Sequence, residues 1–416
     1  MTRDELVAEV VNPAGVAEAD LAVVIVSHQE APYIALPAIK SSLGLARDYP
    51  DLKAVLINCD NASRDGTREA FFAAEVEIPR IYVSTPPDLA GRGLNIQNAM
   101  TMAARLRVKA LAVLDANLVS IKSTWIKSLL DPILKQDADY VSPLYVRHRH
   151  ESPLSRRLAY PLLRTILGRR VLETIGVDHA FSHRLIEVYK DAEFEADDLG
   201  YRADLKFLSL AVRHKARICQ AFMAHPRLSA YGEPDGGDLP RLFKAVARAL
   251  FDLMAENWDY WPGIDRSKPT TLSGVNEGIK KLPPQIVVDQ PHLSAQFLRL
   301  AREMEASWGR LFSPALAGEL GRVLASALRG ETPEVKMDLW RSALYEASAV
   351  GARDLSVRDE AVAALAPVFL GRCLIGLEED RNCNSRMVNA QVEAEALNFE
   401  AAKPELKALW RRRVDS

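Results

Sequence analysis

The pattern of apolar and polar positions divides the chain into two unlike halves. Across the first 240 residues, short apolar runs alternate with helix-like stretches. Runs at 21–26, 53–57, 80–84, 110–114, 140–144 and 218–223 are short and apolar enough for buried strands. Helical patterns run to about 45, after 67 and after 93, and residues 1 to about 20 read as a short helix and a loop. Strands alternating with helices predict an α/β fold with a mostly parallel sheet covered on both faces. Polar clusters at 27–30, 58–61 and 115–117 fall at the carboxyl ends of predicted strands, where ligands bind in such sheets.

From about 240 the character changes. Residues 239–258 read as a helix, and 262–291 are interrupted by prolines. Residues 295–410 carry helical periodicity, as in Phe297, Leu300 and Met304 at i, i+3 and i+7. Two domains are expected, 1–240 and a mainly α-helical 241–416. The length agrees, since 416 residues exceed one ordinary core.

A net charge of -2 offers no footing for non-specific nucleic-acid binding. Cys59, Cys219, Cys373 and Cys383 form no Cys-x-x-Cys pair, so neither a zinc site nor a disulfide framework is indicated. Asp4, Glu5 and Glu9 mark an acidic start without a signal-peptide core. No run of 18 uninterrupted apolar residues occurs, so no membrane span and a cytoplasmic location are expected.

The richest chemistry lies in Val113-Leu114-Asp115-Ala116-Asn117. Residues at i and i+2 leave a strand end on the same side. Asp115 and Asn117 together suit a divalent cation bound with a diphosphate, because Mg²⁺-like ions take oxygen ligands plus phosphate. Alone, the same residues also describe a strand followed by a turn. Ser63-Arg64-Asp65-Gly66-Thr67 reads as a turn opening a helix, with Ser63 or Asp65 as N-cap. Gly91-Arg92-Gly93 lets the backbone pass close to a ligand, and Arg92 can pair bidentately with a diphosphate.

Taken together, Ser27-His28-Gln29-Glu30, Asp60 through Thr67, Gly91 through Asn95 and Asp115-Ala116-Asn117 resemble a GT-A-type (Rossmann-like) glycosyltransferase. They are most similar to the retaining enzymes that make mannosylglycerate, glucosylglycerate and glucosyl-3-phosphoglycerate. The resemblance covers roughly 20–260 by motif and the remainder by helical character. It implies a nucleotide-diphospho-sugar donor, a divalent cation (Mg²⁺ or Mn²⁺), and transfer of a hexose to a small acidic acceptor with retention. It supports Glu30 as acceptor for ribose hydroxyls, Asp60 for the imide N–H of uracil or guanine, and Arg92, where the family usually has lysine, for the diphosphate.

The resemblance also implies a metal set of Asp115, Asn117 and His225. The family has a second aspartate at position 117. The amide loses a negative charge, so either the metal is held less tightly or catalysis is lost. Arg147 falls in a Tyr-x-Arg segment that would hold an acceptor carboxylate. The family's acidic turn corresponds to Gly176-Val177-Asp178-His179, so its role falls to Asp178 or to His179. Gly200-Tyr201-Arg202-Ala203-Asp204 resembles the element whose acid lies near the anomeric carbon, which makes Asp204 the candidate catalytic carboxylate. A sugar-nucleotide binding protein with little or no catalysis is the alternative. A nucleotidyltransferase would need a glycine-rich phosphate loop, and residues 26–30 are not one. UDP- or GDP-hexose and a hydroxy-acid are the expected partners, with a homodimer through the helical half a further possibility.

Overall fold

The computed structural model describes residues 6–87, 89, 91–192, 200–232 and 239–411. They fall into two compact units. The first runs to Arg147 and takes in Glu173–Glu233 and Pro269–Pro283; the second comprises His148–Leu172, Pro234–Lys268 and the chain from Pro284.

The first unit is built on a nine-stranded sheet. Its strands are β1 (Glu9–Val11), β2 (Leu21–Ser27), β3 (Ala54–Asp60), β4 (Arg80–Ser84), β5 (Ala110–Asp115), β6 (Tyr140–Leu144), β7 (His179–Ser182), β8 (Ile218–Phe222) and β9 (Thr271–Ser273). Their order is β1-β4-β3-β2-β5-β7-β6-β8-β9. Only β1 and β7 run antiparallel to their neighbours. The helices of this unit are α1 (Ala35–Asp48), α2 (Thr67–Ala73), α3 (Arg92–Arg105), α4 (Ser123–Gln136), α6 (His183–Asp191) and α7 (Tyr201–Arg213). The mostly parallel α/β sheet is therefore as the apolar runs indicate. Every residue of β2 is buried, because it lies between two parallel neighbours under helices on both faces.

Three strands depart from the expectation. β1 stands where a short helix was expected within 1–20, of which residues 1–5 lie outside those described. Its Glu-Val-Val run has two β-branched residues and adds to the edge of β4. β7 and β9 are only four and three residues long, too short for a periodic signal.

The second unit holds α5 (Tyr160–Leu167), α8 (Leu239–Glu256), α9 (Gln290–Leu311), α10 (Pro314–Leu328), α11 (Met337–Arg353), α12 (Arg358–Glu379), α13 (Ser385–Ala401) and α14 (Lys403–Arg411). The helical character expected beyond residue 295 is present. By length and composition α12 is apolar enough to cross a membrane, but 78% of its most apolar window is buried, and it packs on α9, α11 and α8. Several buried charges of this unit are paired, as in Arg372 with Glu395 at 3.2 Å and Arg164 with Glu400 at 3.0 Å.

In the first unit, α1 passes so close to α4 that one position must be glycine. A Cβ on Gly44 would lie 2.4 Å from the Ser123 carbonyl oxygen and 2.9 Å from Ile126. A backbone oxygen cannot give way as a flexible side chain can. Gly44→Ala should therefore destabilise the protein by about 1–3 kcal/mol, the scale of overpacking, although alanine is the better helix former. Urea unfolding measures this; a stabilised variant would show that the two helices separate at little cost.

Candidate functional site

The carboxyl ends of β2 and β3 are stitched together by short polar side chains. Asp60, the last residue of β3, is fully buried. It accepts hydrogen bonds from Ser27 Oγ (2.6 Å), Ser63 N–H (2.7 Å), Ser63 Oγ (2.7 Å) and Tyr82 Oη (3.0 Å). Ser63 Oγ also accepts from Gln29 N–H at 2.7 Å. Asp65 accepts from Thr67 N–H at 3.0 Å and Ala31 N–H at 2.9 Å, and Thr67 Oγ1 accepts from Glu30 N–H at 2.8 Å. The N-cap of α2 is neither Ser63 nor Asp65 but Gly66, at φ +91°. The Asp-x-x-Ser-x-Asp-Gly-Thr pattern thus locks loop 27–31 to loop 61–67. Four donors fill the acceptor sites of Asp60, so a base N–H would reach it only by displacing one.

Glu30, set beyond β2 by this lock, is buried. Its carboxyl accepts from Tyr231 Oη at 2.9 Å and from Asn117 Nδ2 at 3.4 Å. Burial pushes its pKa up, and the charges of Asp115 and Asp65 add to the rise against the two hydrogen bonds. Tyr231 is 62% exposed, and its ring meets Tyr33 edge-on with centroids 5.7 Å apart. Asn117 Oδ1 accepts from Ser229 Oγ at 3.0 Å. The ends of the paired strands β2 and β5 therefore meet through Glu30 and Asn117, with the Tyr33 and Tyr231 rings beside them.

Asp115, at the end of β5, is bound to an arginine. Arg227 donates from Nη2 to Asp115 at 3.2 Å and from Nε to Asp178 at 2.5 Å. Asp178 also accepts from the Asp115 backbone N–H at 3.0 Å and from Tyr145 Oη at 3.1 Å. Burial alone would raise the pKa of Asp178; the Arg227 charge outweighs it and holds the carboxyl below its usual value. Backbone pairing fixes the arginine loop along β5's exit, with Val119 N–H to Leu228 O at 3.0 Å and Ala230 N–H to Asn117 O at 2.9 Å.

A divalent ion fits this arrangement poorly. Asp115 shares its carboxylate with a guanidinium, and Asn117 offers a neutral oxygen already taken by Ser229. His225 donates from Nδ1 to the Met223 carbonyl at 3.1 Å, which leaves Nε2 as its lone-pair nitrogen, so the poor fit rests on Asp115 and Asn117 and not on this histidine. Among the described residues no three His, Cys, Asp or Glu side chains gather as a metal site would require.

Arg92, at the start of α3, donates to Asp204 at 3.0 Å. Asp204 is 1% exposed and also accepts from Gly176 N–H at 2.9 Å. Gly200 makes room for the arginine, since a Cβ there would lie 2.6 Å from Arg92 Cβ, and its φ of +72° suits glycine. Asp204 thus holds Arg92, whose side chain stays 32% exposed.

Arg147 and His179 are turned to structural tasks. Arg147 makes a buried bidentate pair with Glu173, Nε to Oε1 at 2.9 Å and Nη2 to Oε2 at 2.8 Å. His179 opens β7, whereas Asp178 belongs to the tight turn before it, where His179 N–H donates to the Val177 carbonyl at 2.7 Å. Its ring packs among Tyr140, Phe181 and Phe207. Nε2 lies 2.9 Å from the Gly176 carbonyl, so Nε2 carries the proton and Nδ1 accepts from Tyr140 Oη at 3.2 Å. The sequence reading passed over Arg227, Tyr231 and Glu173. Only Arg227 had a signal, its place two residues after His225.

The buried histidine predicts a pH dependence. Burial lowers the His179 pKa to about 4, against an ordinary value of about 6.5. Between those values the unfolded chain binds more protons, so stability falls as pH drops. The loss should approach about 3 kcal/mol across that window, at about 1.4 kcal/mol per unit. His179→Gln keeps a donor for Gly176 and removes the titration. Denaturation from pH 7 to 4.5 should show a shallower decline in the variant; parallel curves would place the imidazole in contact with water.

No protein-family model matches this chain, and no curated protein matches it. Among solved structures it is similar to glucosyl-3-phosphoglycerate synthase from Mycobacterium tuberculosis in complex with Mn²⁺, UDP and glucosyl-3-phosphoglycerate. That match has 19% identity and a TM-score of 0.45, covering 57% of this chain and 79% of that one. The same enzyme in complex with Mg²⁺ and UDP gives 19% identity and a TM-score of 0.44, covering 61% and 83%. A mycobacterial protein gives 20% and 0.45, covering 57% and 74%.

Proposed function

We propose that the α/β unit binds a UDP- or GDP-hexose at the carboxyl ends of β2 and β5 and transfers the hexose, with retention, to a small acidic acceptor such as glycerate or phosphoglycerate. The observation that carries the reading is the contact between Glu30 and Asn117, which brings together two residues of the separate polar clusters beyond β2 and β5. The motifs at 27–30, 60–67, 91–95 and 115–117 supply the resemblance that names the donor class.

Within this reading each group has a task. Glu30 accepts from the ribose hydroxyls. The exposed Tyr231 ring, steadied by Tyr33, stacks on the base. Arg92 meets the diphosphate, whose charge grows as the glycosyl C–O bond breaks, and a preorganised cation stabilises that charge. Asp204 is a positioning residue acting through Arg92. Asp60 holds the loop that presents Glu30. The acceptor class rests on the sequence resemblance alone, because the charge of Arg147 is spent on Glu173.

The second reading is a sugar-nucleotide binding protein with little catalysis. The full burial of Asp204 against Arg92 favours it, since that carboxylate would touch no sugar. An NMR assay with UDP- and GDP-hexoses and glycerate separates the two. Transfer with retention supports the enzyme; donor binding without transfer supports the binding protein.

Two substitutions test the site itself. Tyr231→Ala should weaken UDP or GDP binding by about 1–3 kcal/mol, the worth of one stacked base. Arg147→Ala should instead leave nucleotide affinity unchanged and cost about 3–5 kcal/mol of stability, because it strands the buried Glu173. Calorimetry and urea unfolding read the two effects. Full UDP and GDP affinity in Tyr231→Ala would remove the base from this rim.

A further inference from the structure

Arg227 stands where the strand-end motif leads one to expect a metal ion. Its guanidinium bridges Asp115 and Asp178, and its loop is paired to the exit of β5. Asp178 is 3% exposed, so withdrawing the arginine would strand a buried carboxylate. A divalent ion on Asp115 would sit beside a permanent positive charge. The amide at 117 removes the second carboxylate that could offset that repulsion.

We propose that Arg227 is the built-in cation of this site, and that the chain engages a nucleoside diphosphate through Arg227 and Arg92 without a divalent ion. The proposal rests on the nucleotide reading given above. Arg227 spends Nε and Nη2 on the two carboxylates. Of its five N–H donors, those on Nη1 remain for a phosphate oxygen. Arg92 holds Asp204 through Nη1, and among the described residues no other hydrogen bond takes its remaining donors. Two fixed guanidinium groups give the planar recognition that suits phosphate oxygens. The Asn117 substitution then follows: with a guanidinium in place, a second carboxylate would only repel the diphosphate.

The test uses the full chain with UDP and GDP as separate probes, titrated calorimetrically in EDTA and in Mn²⁺. Affinity for the better nucleotide should agree within about twofold between the two conditions. Arg227→Gln should lower it about tenfold or more in both, the scale of a lost charged hydrogen bond, and Arg227→Lys should recover part of the loss. Binding that requires Mn²⁺ would overturn the proposal while leaving the nucleotide reading intact. Failure of both nucleotides under both conditions would overturn the nucleotide reading, and the proposal with it. Mn²⁺ alone gives an independent arm by electron paramagnetic resonance. Wild type should leave the hydrated-ion signal undiminished, and Arg227→Gln combined with Asn117→Asp should gain a stoichiometric site. A stoichiometric Mn²⁺ site in wild type, lost in Asp115→Asn, would contradict the proposal directly.

Discussion

The bridge from Asp178 through Arg227 to Asp115 is the constraint around which the site is arranged. It joins β5, the turn before β7 and the loop after β8. Asp178 is buried and must be paired, because an isolated carboxylate in that surrounding is costly. The bond from the Asp115 N–H to Asp178 then fixes the end of β5 from the backbone side. The position of Asp115, its charge partner and the path of residues 227–231 follow from one buried ion pair. Asn117, paired to that path, and Tyr231, at its end, both donate to Glu30 and carry the constraint to it.

A second lock works on the opposite wall. Asp60 draws four donors from three segments, and Ser63, Asp65 and Thr67 hold the backbone of 29–31. Glu30 therefore stands on a preorganised loop, so a ligand bound there would carry little ordering cost. The two locks use charge differently. Asp60 is satisfied by neutral donors, whereas Asp178 requires a cation, which Arg227 supplies.

Much of the fold was legible in the sequence because buried parallel strands read as continuous apolar runs. β2, β4, β5 and β6 began and ended within a residue of their apolar runs. β7 was hidden because four residues between polar turns carry no period, and its antiparallel insertion depends on distant pairing. That gap affected the site reading as well. Asp178 and His179 were read as one turn, yet β7 begins between them, with Asp178 bound to Arg227 and the Asp115 N–H and His179 in an aromatic cluster. Arg147 and Arg227 look alike in sequence, each an arginine just beyond a strand. Their partners, Glu173 and Asp178, lie 26 and 49 residues away, so only tertiary structure reveals what each charge holds.

Where a nucleotide meets the ends of β2 and β5, and which cation it meets there, is the central question for this chain. The most direct measurement is a crystal structure of the full chain grown with UDP or GDP in EDTA. The ribose should lie against Glu30, the base on Tyr231, and the diphosphate within hydrogen-bond distance of Arg92 and Arg227, with Arg227 still bridging Asp115 and Asp178. A nucleotide ordered at another place on the sheet, or one that orders only when Mn²⁺ replaces EDTA and Arg227 has swung clear of Asp115, would contradict this arrangement.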